Sequence, residues 1–132
     1  MKKNNWGRII NMTSVSVKEP LAYLALSNTI RSAVTSWGKT LSIESGKNNI
    51  TVNNILTGFF NTKRLNQLNS EKAKKFNIEI EDVFDKMSEM VPLKRIGEPE
   101  EFGYLVAFLS SEFANYINGA NIPIDGGLLK SM

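Results

Sequence analysis

The stretch Arg8-Ile9-Ile10-Asn11-Met12-Thr13-Ser14 starts as a short apolar run and ends in two small hydroxyl residues. Its continuation to Arg31 decides the fold. Residues 8–12 read as a strand, with an apolar centre too brief for periodicity to judge alone. Thr13 to Pro20 is polar and closed by a proline, so the chain turns there. From Leu21 to Glu44 apolar residues recur at helical spacing (Leu26, Ile30, Val34, Trp37, Leu41), which predicts one long amphipathic helix stopping near Gly46.

The rest of the chain repeats this alternation. Ile50-Thr51-Val52-Asn53-Asn54-Ile55-Leu56 is rich in β-branched residues and ends at Thr57-Gly58, hence a second strand. Residues 61–89 are polar, with scattered Leu65, Leu68, Phe76, Val83, Phe84 and Met87, and read as two or three short helices. Gly97-Glu98-Pro99-Glu100-Glu101 is a helix start, with proline in the first turn and acids beside the positive helix end. Phe102, Leu105, Val106 and Leu109 form its apolar stripe. Ala120 to Ile124 reads as a last, edge-like strand because Pro123 lies inside it. Strands alternating with helices imply right-handed crossovers and a parallel sheet. Three strands are few for such a sheet, which gives the domain the look of part of a larger one.

Composition narrows the chemistry. A chain of 132 residues suits a single domain, 1–132, and a net charge of +3 spread over many lysines suits a solvated surface. Glu71, Glu79, Glu81 and Asp82 flank the lysine cluster at 72–75, and no aromatic residues interleave it, so no nucleic-acid partner is expected. No apolar run is long enough to span a bilayer and no signal-peptide core follows Met1, so the expected location is cytoplasmic, away from membranes. The sequence has no cysteine and no histidine. Disulfides, thiol nucleophiles, imidazole bases and nearly all zinc sites are thereby excluded, which leaves carboxylate, hydroxyl, phenol, amine and guanidinium chemistry.

Taken together, Gly7 to Ser14, Ile50 to Gly58, Val91-Pro92-Leu93-Lys94-Arg95-Ile96-Gly97-Glu98-Pro99-Glu100-Glu101, and the ending from Ala107 through Asn118-Gly119 to Asp125-Gly126-Gly127 resemble the short-chain dehydrogenase/reductase family. The four stretches keep the family's order and spacing, and the likeness is to reductases of 3-oxoacyl or small carbonyl substrates. It covers nearly the whole chain but only the second half of the family's domain. The implied fold is the C-terminal half of a Rossmann-type doubly wound α/β sheet, three strands with flanking helices, beginning just before the fifth strand. Family members grip the dinucleotide pyrophosphate with a Gly-rich turn in their first half. The nine glycines here contain no G-x-G-x-x-G, so this chain alone is expected to lack hydride-transfer activity.

The resemblance also assigns residues. Ser14 falls where the family's catalytic serine polarises the substrate carbonyl. The family's tyrosine and lysine positions are occupied by Ser27 and Arg31. The frame is kept while both residues change. Asn11, Arg31, Gly58 and Thr62 fall on the side of the cofactor, NAD or NADP, the last two within a Pro-Gly-x-x-x-Thr pattern whose proline is here Thr57. Residues 61–90 correspond to the substrate lid, and Phe59 and Phe60 cover the nicotinamide, line a substrate pocket or pack in the core.

A serine hydroxyl is a far weaker acid than a phenol of pKa ~10, so Ser27 can donate a hydrogen bond but is poorly suited to surrender a proton. Arg31 keeps the positive charge and a planar fork suited to ribose hydroxyls. Three readings stay open: a decayed active site; Tyr23, one helical turn before Ser27, as substitute proton donor; or a divergent polar set of Ser14, Ser27, Asn28 and Arg31. At the level of the whole protein the alternatives are an oxidoreductase, a non-catalytic association module, and a gene fragment. The expected partners are a carbonyl or acyl substrate and a second copy or another subunit of the same family.

Overall fold

The computed structural model describes residues 1–131. Three strands, β1 (Gly7–Met12), β2 (Ile50–Thr57) and β3 (Asn121–Ile124), form one parallel sheet in the order β1-β2-β3. Helix α1 (Ala25–Ser45) connects β1 to β2, while α2 (Lys63–Phe76), α3 (Ile80–Met90) and α4 (Pro99–Ser110) lie between β2 and β3. The expected α/β alternation is what forms. Residues 61–89 resolve into two helices, separated where Asn77 caps α2 in the left-handed conformation at φ 52°. Pro123 sits in β3 at the sheet's edge, where its missing N–H leaves no central ladder broken.

The first helix starts later than its apolar pattern predicts, at Ala25 and not Leu21. Pro20 and a left-handed Tyr23, with φ 65°, shape residues 20–24 as an irregular turn. The Asn28 amide then donates to the Leu21 carbonyl at 2.9 Å, tying that turn to the first turn of the helix. Local polar bonding outcompetes helix here.

Seven of the eight residues of β2 are buried, because helices cover it on both faces. Ile10, Ile55 and Ile122 pack with Leu109, Leu105 and Val106 of α4 to make the apolar core of one face. The opposite face, beneath α1, is polar at its centre. Asn11, Asn54 and Asn121 stand at equivalent register positions on the three strands. Asn11 Nδ2 donates to Asn54 Oδ1 at 2.9 Å, and Asn54 Nδ2 donates to Asn121 Oδ1 at 2.7 Å. This amide ladder satisfies both ends of the buried Asn54 amide, which would otherwise destabilise the sheet.

Gly38 lets α1 come down onto the ladder. A Cβ at this position would lie 2.7 Å from Asn54 Oδ1 and 2.9 Å from Asn11 Nδ2, both fixed by their cross-strand bonds. Gly38→Ala therefore destabilises the fold by about 1–2 kcal/mol in urea titration, although alanine is the better helix former. An unchanged or raised midpoint would show that the ladder yields.

Candidate functional site

The site forms where β1 and β2 end. Thr13, directly after β1, is buried, and its N–H and Oγ1 both donate to the Ile55 carbonyl, at 2.9 and 3.1 Å. The carbonyl of Thr13 is therefore held at the strand ends. It accepts Arg31 Nη1 from α1 at 2.8 Å and Thr57 Oγ1 from the last residue of β2 at 2.9 Å. Arg31 Nε donates to Ser27 Oγ at 3.2 Å, one turn back along the helix. One guanidinium thus joins the start of α1 to the end of β1, and it leaves Nη2 and the Ser27 O–H as donors.

Two grooves meet at Arg31 and Met12. One, about 470 Å³, is lined by Leu26, Ser27, Ile30 and Val34 of α1. The other, about 380 Å³, is lined by Thr57, Gly58, Phe59, Phe60, Thr62 and Arg64 together with residues of α2 and α4. Among the described residues, no aspartate or glutamate lines either groove. Thr62 caps α2 by accepting the Leu65 N–H at 3.2 Å, which leaves its O–H free to donate.

The structure brings some of the expected residues together and separates others. Ser27 and Arg31 are in contact, and Arg31 shares a groove with Gly58 and Thr62. Ser14 is half-buried beside the Thr13 carbonyl and lines neither groove. Its Oγ accepts the Ser16 N–H at 3.1 Å and so caps the short turn Val15–Val17. Asn11 reaches neither groove, because its amide is committed to the ladder under α1. Tyr23 precedes the helix and is fully exposed, so the one-turn relation to Ser27 on which its role as donor was expected does not exist. Asn28 is occupied with the Leu21 carbonyl. Gly58 has a packing reason of its own: a Cβ there would lie 2.8 Å from Asp125 Cα, at the end of β3.

Sequence reasoning missed Thr57 and Arg64. The signal for Thr57 was its standing where the family has proline, since only the threonine offers a hydroxyl to Thr13. Further along, Arg95 and Glu101 pair at 2.6 Å beside a small cavity of about 140 Å³ lined by Phe59 and Phe60. The Arg95 hydrogen bond, with help from the Glu98 N–H, holds the Glu101 pKa at about 2. In the loop after Ser14, backbone N–H groups of Ser131 and Lys130 donate to Glu19 and lower its pKa.

A parallel sheet with a hydroxyl and a cation placed four residues apart on its crossover helix, at the strand ends, is the arrangement the sequence resemblance implied. Residues 1–129 match the family model described as enoyl-(acyl carrier protein) reductase. The chain belongs to the short-chain dehydrogenase/reductase family. It is 39% identical to the NADPH-dependent reductase BacG of Bacillus subtilis over 100% of this chain and 51% of that protein. It is 33% identical to the 3-oxoacyl-[acyl-carrier-protein] reductase FabG of Aquifex aeolicus, over 97% of this chain and 47% of the relative. Its fold superposes on the L-sorbose reductase of Gluconobacter frateurii, solved with NADPH and L-sorbose, with a TM-score of 0.94 and 32% identity, over 100% of this chain and 51% of that one. The chain spans about half the length of the curated relatives it matches, and the half it resembles is the C-terminal half of the family's sheet. No helix among the described residues is long and apolar enough to cross a membrane.

The Ser27–Arg31 contact has an energetic signature. In a double-mutant cycle of Ser27→Ala and Arg31→Leu followed by chemical denaturation, we expect a coupling energy of about 1 kcal/mol, as for a charge-assisted hydrogen bond. Additive effects would mean that the two side chains act independently.

Proposed function

We propose that these residues form the substrate side of an NAD(P)H-dependent carbonyl reductase in which hydrogen-bond donors carry the work of the family's tyrosine and lysine. The observation that carries this reading is Arg31, bridging Ser27 Oγ and the Thr13 carbonyl at the meeting point of the two grooves. The acid-free lining of both grooves suits an anionic dinucleotide. Arg31 and Thr62 have donors to spare for ribose and phosphate oxygens, and Gly58 lies beside them.

When bound, the reduced nicotinamide supplies the hydride. The chain's own residues manage the charge that develops on the carbonyl oxygen. The Ser27 O–H, polarised by the guanidinium that donates to its oxygen, is a charge-assisted donor to that oxygen. Arg31 Nη2 adds a second donor of fixed positive charge, and the Thr13 carbonyl holds it in place. With no phenol among the described residues of either groove, water entering these open grooves protonates the alkoxide.

Hydride transfer is expected where these residues work together with a dinucleotide-binding half. The test is a chimera in which the chain replaces the matching half of Bacillus subtilis BacG, assayed by loss of NADPH absorbance against small ketones and 3-oxoacyl thioesters. Ser27→Ala and Arg31→Leu should each lower kcat/KM by about a hundredfold, as for loss of one oxyanion donor. A chimera that binds NADPH yet reduces none of these carbonyls, or turnover indifferent to both substitutions, would overturn the proposal.

A second reading, association, is favoured by one surface. Tyr104 on α4 and Phe113 and Tyr116 shortly after it are exposed. Exposed aromatic side chains outside the core favour an interface with a second copy or another family subunit. Light scattering coupled to size exclusion should give at least a dimer, converted to monomer by Phe113→Ser with Tyr116→Ser. A monomeric parent chain would remove this reading.

A further inference from the structure

Among the described residues, the groove between β2 and α2 contains two cations and no anion. Arg31 is held by neutral oxygens only, those of Thr13 and Ser27. Arg64, in the first turn of α2, has one partner, the neutral Gln67 Oε1 at 3.3 Å. Among the described residues the ion pair is Arg95–Glu101, and neither groove arginine meets a carboxylate. Phe59, Phe60, Leu65, Leu68 and Phe102 supply much of its apolar wall. Arg64 is exposed and Arg31 half-buried, so water solvates both, and the groove offers two guanidiniums beside an apolar wall without a protein counter-ion among the described residues. An anion with an apolar body would complete both halves of the lining at once. The positive end of α2, where Arg64 sits, adds to the same preference.

We infer that this groove takes an oxo acid, a carbonyl compound that also bears a carboxylate on an apolar or aromatic body, and that Arg64 is the residue selecting the carboxylate. The inference rests on the carbonyl-reductase reading and names its substrate class. In this arrangement Arg64 forks the carboxylate, Phe60 and Leu68 cover the body, and the carbonyl oxygen lies toward Arg31 and Ser27. Arginine suits this task better than lysine because its planar fork matches a carboxylate through two parallel bonds.

A dinucleotide phosphate offers Arg64 similar chemistry, and the experiment separates the two sources. Calorimetric titration of the 132-residue chain uses three probes: hydrocinnamate, the neutral hydrocinnamamide of the same shape, and inorganic pyrophosphate. Hydrocinnamate should bind saturably and about tenfold more tightly than the amide, the contribution of one charge-assisted bond. Arg64→Gln should erase that difference while leaving the amide unaffected, and Arg64→Lys should restore only part of it. Arg64 is exposed, so neither substitution threatens the fold. Equal affinity for acid and amide, failure of hydrocinnamate to bind, or pyrophosphate displacing it more tightly through Arg64 would each overturn the inference. These titrations involve no hydride transfer, so failure here is distinct from failure of the chimera to turn over.

Discussion

One buried carbonyl, that of Thr13, joins three elements at the place where the grooves meet. It ends β1, receives the last hydroxyl of β2 from Thr57, and anchors the guanidinium that α1 presents. A backbone carbonyl can accept two bonds because it has two lone pairs, and both are used here. Removing either donor leaves the other in place, so the junction tolerates partial loss. Its position cannot drift, however, because Thr13 N–H and Oγ1 are both bonded to Ile55 within the sheet. The site inherits its rigidity from β-sheet register and not from its own loops.

That register depends on the packing beneath α1. The helix must approach closely for a side chain at position 31 to reach the strand end, and the approach is set a few turns later, at Gly38 over the amide ladder. Asparagine in the middle of a buried parallel strand is unfavourable by propensity. Asn54 is nevertheless accommodated because its oxygen and its nitrogen each find an asparagine on the neighbouring strand. Asn53 is accommodated differently, through the Ile117 carbonyl and the Ala120 N–H, which fix the loop entering β3. Consecutive buried asparagines therefore tie the central strand to its surroundings on both faces.

Periodicity and turn chemistry sufficed for the strands, the crossover helix and the helix at Pro99, because each carries a signal local to its own residues. The start of α1 was not readable in the same way: the apolar pattern put it at Leu21, but Asn28 folds back on Leu21, and that competition is invisible to a hydrophobic count. The error carried into the site, since Tyr23 depended on the helix beginning early. Ser27 and Arg31 were readable as a pair from their spacing. The part played by Thr57 was not, because it depends on which carbonyl lies across the strand gap. Arg64 was hidden for a similar reason: only the fold shows that the first turn of α2 faces the same groove as Arg31.

Under the proposed carbonyl-reductase reading, exchanging tyrosine and lysine for serine and arginine changes which physical quantity the site controls. A phenol–ammonium pair works by tuning an acidity, so that a proton moves near neutral pH. A hydroxyl–guanidinium pair has no group that titrates in that range: arginine stays charged in a protein and an aliphatic alcohol stays neutral. What remains is fixed dipole and charge aimed at one point, and its worth depends on geometry more than on pH. The Thr13 junction matters more under those terms than it would in a proton-transfer site. A proton can move through a shared hydrogen bond or a water, whereas electrostatic stabilisation weakens as soon as the donor is free to swing. Arg31 is tethered at Nε and Nη1, on both sides of its plane's hinge, which leaves Nη2 as the direction in which its charge can be used.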